Sequence, residues 1–330
     1  MKQKKILKIE KLNVEFSKES TFLDLIFRKT KKTVKAVENL SLEIQEGEII
    51  GLVGESGSGK SSLIKAIVGI NNINNGKIFY QEEEIEYKKK NIKKFLSKQF
   101  QMVFQDPYSS LNPTMTVYNT LKEVINFHNK NLNNIEIDKK VLNLLDLVGL
   151  NKDLKNRKPK ALSGGQRQRV GIARSLAVNP KILLLDEPVT ALDVSIQAQI
   201  LNLLKQLNQQ LKLTMILVAH ELSIIDFMCS KVAVMYLGKI IEFGNRDDIF
   251  NNPKHPYTIG LINSMPKLNP EKRSRKAALS GDIPSPFDIP KGCRFHPRCE
   301  YAINKCSSIN PEQNNISKNH YSFCHLSHKL

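Results

Sequence analysis

At 330 residues with 41% hydrophobic side chains, the chain has room for about two domains and a sizeable core, and no apolar run approaches the roughly 20 residues of a bilayer-spanning helix. A net charge of +18 points toward anionic lipid or nucleic acid. The lysines are scattered among asparagines, however, as at 126–134, and form no aromatic-interleaved basic face, so nucleic acid is not expected as a partner.

The basic start, Met1 to Lys5, runs into an alternating Ile6-Leu7-Lys8-Ile9-Glu10 strand and not into a signal-peptide core, so a place in the cytosol or on the inner face of a membrane, held by partners, is expected. Residues 17–35 interrupt the first sheet with Phe22-Leu23-Asp24-Leu25-Ile26-Phe27 and the basic run Arg28 to Lys32. That insert reads as a surface excursion in preference to a membrane-surface helix. Glu48 to Val53 reads as a buried strand, and Ser62 to Gly69 as a helix with Leu63, Ile64 and Ile67 on one face.

Between them stands Gly54-Glu55-Ser56-Gly57-Ser58-Gly59-Lys60-Ser61, followed by Ser62. Glycines there let consecutive N–H groups turn inward around phosphates, and the helix N-terminus adds a partial positive charge. Lys60 supplies a point charge for the terminal phosphates, and the Ser61 hydroxyl a ligand for Mg²⁺. A nucleoside triphosphate site follows.

From about 88 to 178 the periodicity turns helical, over Val117–Phe127, Val141–Val148 and Gln166–Val178. Ser163, Gly164 and Gly165 precede the last of these helices and offer N–H groups to an anion. Lys181 to Leu185 is an apolar strand ending in Asp186-Glu187, placed where parallel sheets hold ligand chemistry. Asp186 suits Mg²⁺ held through water, and Glu187 a polarised attacking water. A further strand, Thr214 to Ala219, closes on His220.

These residues resemble the ATP-binding subunits of ABC transporters. Phosphate loop, Gln105, Leu162-Ser163-Gly164-Gly165-Gln166, Leu184-Leu185-Asp186-Glu187, Ala191-Leu192-Asp193 and His220 occur in that family's order. The resemblance implies an α/β fold of the ABC type: a RecA-like P-loop ATPase core with an antiparallel β subdomain and an α-helical signature subdomain. It also implies that Gln105 senses Mg²⁺ and the attacking water, that Glu187 is the catalytic base and that His220 contacts the γ-phosphate. Signature residues Ser163 to Gln166 would cover ATP held by a second subunit, Asp193 would link the two sites, and the helical subdomain would dock a membrane subunit. Phe16 is the candidate to stack on adenine. Thr190 and Glu221 depart slightly from the family pattern, which more often has serine and aspartate there.

The end of the chain adds His255-Pro256-Tyr257-Thr258, Gly281 to Pro286 and Gly292-Cys293-Arg294-Phe295-His296-Pro297-Arg298-Cys299. These resemble the C-terminal extension of oligopeptide and dipeptide importer ATPases, and the run Phe104 to Pro113 resembles the second of their two nonidentical ATPases. The implied organisation is an ATPase domain over 1–255 and a small Cys-rich extension over 256–330. Implied partners are a nonidentical second ATPase subunit, two permease subunits and an extracellular peptide-binding protein. A soluble ABC-type ATPase acting on nucleic acid or the ribosome, or one serving nickel or other cargo, is the alternative.

Four of the five cysteines, Cys293, Cys299, Cys306 and Cys324, fall within the last 38 residues with gaps of five, six and seventeen. Disulfides are not expected in a cytosolic chain, so clustered thiols suggest metal. The gaps fit neither a paired Cys-x₂-Cys zinc site nor a compact ferredoxin run, which leaves zinc, iron–sulfur and unliganded thiols open. The resemblance favours a [4Fe-4S] cluster, since some peptide-importer ATPases hold one in this extension. His296 and His325 read as surface residues, and Cys229 as part of a helix core.

Overall fold

The computed structural model describes residues 4–17, 33–265 and 279–329. Most of the 17–35 insert lies outside the described residues. Strands β1 (Lys5–Ser17), β2 (Thr33–Gln45), β3 (Ile49–Val53), β4 (Asn75–Tyr80), β5 (Glu83–Glu84), β6 (Phe100–Val103), β7 (Ile182–Asp186), β8 (Thr214–Val218), β9 (Lys231–Tyr236), β10 (Lys239–Asn245), β11 (Asn314–Ser317) and β12 (His320–Ser322) follow along the chain. They belong to two compact units, one of residues up to 44, 50–85 and from 219 on, the other of 45–49 and 86–218.

In the first unit, β2, β1, β4 and β5 lie side by side in that order. Alternation in β1 buries Leu7 and Ile9 and, past an irregularity between Glu10 and Asn13, Leu12 and Val14, and β1 pairs antiparallel with β4, Ile9 opposite Ile78. A second set runs β11, β12, β10, β9, β3. Here β3 is parallel to β9, with Leu52 opposite Ala233, and β10 returns antiparallel to β9. The chain's last strands then extend the sheet, β12 pairing antiparallel with β10 and β11 with β12. All five residues of β3 are buried, and the phosphate loop leaves its carboxyl end.

Cys229 is buried, as expected, but it closes the helix Leu222–Met228 in extended backbone and does not lie within it. Its thiol packs where a Cβ on Gly51 would stand 3.0 Å away.

The second unit is built on parallel β6, β7 and β8, with Val103 opposite Leu185 and Leu185 opposite Leu217. Every residue of β7 and β8 is buried, the continuous apolar run of parallel strands covered on both faces. Helices Val117–His128, Asn134–Leu147 and Gly164–Leu176 pack on one another. The middle helix begins well before the expected Val141, because Asn133 and Glu136 form a reciprocal capping box that satisfies its first amides. The same device, Ser163 with Gln166, starts the third helix at Gly164. Among the described residues no helix is long and apolar enough to cross a membrane.

Candidate active site

The phosphate loop turns between β3 and the helix Lys60–Ile67. Gly54 sits at φ +148°, where a Cβ would stand 2.1 Å from the Met235 carbonyl oxygen, and Gly59 at φ +102°, 2.1 Å from the Ala36 carbonyl oxygen. No side chain fits at either position. The Lys60 ammonium is drawn inside the loop, donating to the carbonyls of Gly54 (2.6 Å) and Glu55 (3.0 Å) and to Ser58 Oγ (3.2 Å). Ser56 and Gly57 form the exposed tip, and Ser61 and Ser62 are half-buried in the first helical turn. The backbone N–H of Gly238 donates to the Ser58 carbonyl at 2.9 Å. Phe16, at the end of β1, is 42% exposed. His220 belongs to this unit, its side chain half exposed and Nε2 3.9 Å from Glu221 Oε1.

In the second unit Gln105 and Glu187, 82 residues apart, are brought together, the Gln105 amide donating to Glu187 Oε2 at 3.0 Å. Thr190 Oγ lies 3.2 Å from the same carboxylate oxygen. Glu187 itself adopts φ +49°, a conformation uncommon for a non-glycine residue and concentrated at functional sites. Its amide donates to the Val218 carbonyl at 3.0 Å. Asp186, one residue earlier at the end of β7, is buried. The pair therefore presents a positioned carboxylate and a buried one at the carboxyl end of a parallel strand, suited to orienting water and Mg²⁺.

The signature residues cap their helix: Ser163 Oγ accepts from the Gln166 amide at 3.2 Å, and Gln166 Oε1 from the Ser163 amide at 2.9 Å. Amides of Gly164 and Gly165, in the first turn, have no intrahelical acceptor and keep the character of an anion site. Both glycines also permit close packing, since a Cβ on Gly165 would stand 2.6 Å from Ile196 Cγ2 and one on Gly164 3.1 Å from Leu192 Cδ2. Asp193 is exposed and makes no side-chain cap for the helix Val194–Leu211.

The signature helix also grips the segment after Gln105. Arg174 donates to the Ser110 carbonyl at 2.5 Å, and the Arg167 guanidinium lies 5.5 Å over the Tyr108 ring. Amides of Tyr108 and Ser109 bind the Asp106 carboxylate and hold its pKa below the ordinary value.

Sequence reasoning missed four side chains. Thr190 was noted only as a departure from the family pattern, yet its hydroxyl meets the Glu187 carboxylate. Tyr257, Arg294 and Arg298 were seen as parts of tail motifs without roles. Tyr257 Oη accepts from the Glu55 amide at 2.8 Å, and Arg298 donates to both Glu55 carboxylate oxygens at 2.7 and 3.0 Å. Arg294 pairs with Glu38 and donates to the Leu237 carbonyl. Residues this far apart along the chain carry no local spacing or periodicity that would betray such contacts in a single sequence.

The tail is anchored through Glu242, which is fully buried. Its carboxylate accepts from the amides of Lys254 (2.6 Å) and His255 (3.0 Å) and lies 2.8 Å from His320 Nε2. Burial pushes the His255 pKa down to about 4, consistent with a neutral ring whose Nδ1 accepts from the Tyr257 amide at 3.0 Å.

Burial first, with repulsion from neighbouring thiols, pushes Cys299 up to about 11 and Cys324 up to about 12. Among the described residues, however, no group of three or more His, Cys, Asp or Glu side chains is arranged to hold a metal ion. The arrangement thus does not fit the expected [4Fe-4S] cluster, and it fits a zinc site no better. His296 and His325 are both half-buried and not surface residues, His296 with Nδ1 2.9 Å from the Cys293 carbonyl and His325 with Nε2 3.0 Å from the Ile309 carbonyl.

Two family models match successive stretches of the chain. Residues 37–190 match the ABC transporter model, and residues 241–306 match the oligopeptide/dipeptide transporter C-terminal region. The oligopeptide transport ATP-binding protein AppF of Bacillus subtilis (strain 168) is 41% identical over 91% of this chain and 92% of its own length. The chain belongs to the ATP-binding subunits of peptide ABC transporters. The dipeptide transport ATP-binding protein DppF of Escherichia coli (strain K12) is 40% identical over 85% of this chain and 84% of its own. Among solved structures, cbiO1 of Clostridium perfringens, part of the ABC transporter complex cbiONQ, superposes with TM-score 0.64 at 33% identity, covering 76% of this chain and 92% of that one. The ATP-binding cassette MJ0796, dimeric and bound to ADP and Pi, gives TM-score 0.63 at 27% identity over 73% and 99%. The peptide-transporter subunit is thus a transport ATPase of the ABC fold.

Proposed function

We propose that this subunit powers peptide import by binding and hydrolysing Mg²⁺-ATP at a composite site. In that reading Gly54 to Ser62 hold the phosphates, and Ser61, Asp186 and Gln105 hold Mg²⁺. Glu187 is the general base and His220 the γ-phosphate contact. The observation that carries it is the Gln105–Glu187–Thr190 cluster, which fixes a carboxylate for proton abstraction in the very residues where the family order expects the base. Phe16, as the adenine platform, rests on its exposure at a strand end.

Two such ATPase subunits would face each other, each signature covering the other's nucleotide. The exposed Asp193 and Val194, the latter 81% exposed, suit that contact, and the dimeric state of MJ0796 is a precedent. A second, nonidentical ATPase subunit, two permeases and an extracellular peptide-binding protein complete the importer, which places this chain on the cytoplasmic face of the membrane. Inactivating its gene is expected to abolish uptake of labelled di- and oligopeptides; undiminished peptide uptake, with loss of another cargo such as nickel, would overturn the peptide assignment.

In the tail, the arrangement of Cys293, Cys299, Cys306 and Cys324 argues against a [4Fe-4S] cluster. Metal analysis of anaerobically purified protein decides it. Iron near four atoms per chain establishes the cluster, and iron-free protein leaves Cys293, Cys299, Cys306 and Cys324 as packing thiols.

A further inference from the structure

An acidic side chain in a phosphate loop is electrostatically wrong for a polyanionic ligand, because a carboxylate close to the phosphates repels them. Glu55 occupies that position, and the structure answers it from the far end of the chain. Arg298 is 8% exposed and forms a two-pronged pair with Glu55, at 2.7 and 3.0 Å. Its Nε donates to the Ser280 carbonyl at 3.1 Å, and its guanidinium lies 5.9 and 5.8 Å from the Tyr236 and Phe295 ring centroids. Packed in this way, the fork has one geometry, which a lysine could not reproduce.

The grip extends to the loop backbone. The Glu55 amide is taken by Tyr257 Oη at 2.8 Å and its carbonyl by Lys60 at 3.0 Å, so side chain, N–H and C=O of this residue are all held. Farther along, Ser58 accepts from the Gly238 amide at 2.9 Å, and the adjoining Leu237 carbonyl is bound by Arg294. Two tail arginines thus support the loop at two points, one directly and one through the Leu237-Gly238 turn.

We propose that Arg298 is a positioning residue for nucleotide: it neutralises Glu55 and clamps the phosphate loop in its binding shape, making ATP affinity depend on the C-terminal tail. This rests on the phosphate-loop reading above. A structural pair of no consequence for ligand would stabilise the fold without touching affinity, and the two cases separate experimentally.

The test measures the Kd of Mg²⁺-ATP for the full-length chain, with melting temperature in the absence of nucleotide as a check of folding. Arg298→Ala is expected to weaken binding roughly 10- to 100-fold, as displaced or unneutralised groups at a reacting site do, and the defect should shrink at high salt. Glu55→Gln combined with Arg298→Ala should recover most of the loss, since the repelling charge is gone. Should Arg298→Ala fail to fold, Arg298→Gln, uncharged and of similar length, takes its place with the same expectations. A folded Arg298 variant with wild-type Kd, or a double variant no better than the single, would overturn the proposal. Lys60→Ala serves as the control for the site itself: if it binds ATP as tightly as wild type, the phosphate-loop reading fails and the clamp with it.

Discussion

Replacement of Glu187 by glutamine is expected to lower ATP turnover by about 10²–10⁴ while leaving ATP binding intact. The two side chains are nearly isosteric, and the amide oxygen of glutamine can still accept from Gln105 and Thr190, which hold the native carboxylate at 3.0 and 3.2 Å. What disappears is the capacity to take a proton from water. Phosphate release, followed alongside nucleotide binding and the size of the complex in ATP, gives the measurement. A bound, assembled and stalled protein is the expected outcome, and turnover near wild type would exclude Glu187 as the base. Thr190→Ala should show a weaker version of the same defect, because it removes one of the two groups that orient the carboxylate.

Lys60→Ala is the second large effect, expected to weaken ATP binding by about 100-fold or more. One part is loss of charge-assisted hydrogen bonds to phosphate, each worth about 1.5–3 kcal/mol, and about 1.4 kcal/mol is a factor of ten in affinity. Another part is internal, because the ammonium also ties together Gly54 O, Glu55 O and Ser58 Oγ. Those oxygens would lose a buried donor, so the loop itself should loosen. Calorimetric titration with Mg²⁺-ATP and a nucleotide-free melting curve read the two parts separately; an unchanged Kd would remove Lys60 from the phosphate site.

How much of this could be read from the residues depended on whether the chemistry is local. The phosphate loop is contiguous, and its glycines, lysine and following helix report themselves within a dozen residues. The Gln105–Glu187 meeting spans 82 positions and was accessible only through the order of family motifs. Asn133 and Glu136 carry the spacing of a capping box, but the surrounding asparagines hid it, which is why the helix was expected to start too late. Contacts of Glu55 with Tyr257 and Arg298, at separations of 202 and 243, have no periodicity to betray them. The cysteine tail misled in the opposite sense. Spacing registers nearness along the chain, whereas a metal needs converging side-chain directions, and those depend on loops that cysteine arithmetic does not describe.

The separation of 243 residues between Glu55 and Arg298 also has a consequence in time. At a synthesis rate of roughly 5–20 residues per second, the phosphate loop leaves the ribosome on the order of ten seconds to a minute before its arginine exists. During that interval the nascent loop carries an unpaired carboxylate and lacks the Tyr257 hydroxyl. A transporter ATPase built in this way acquires its full grip on ATP only after Arg298 has been made, so chains terminated before that residue are left as poor competitors for nucleotide.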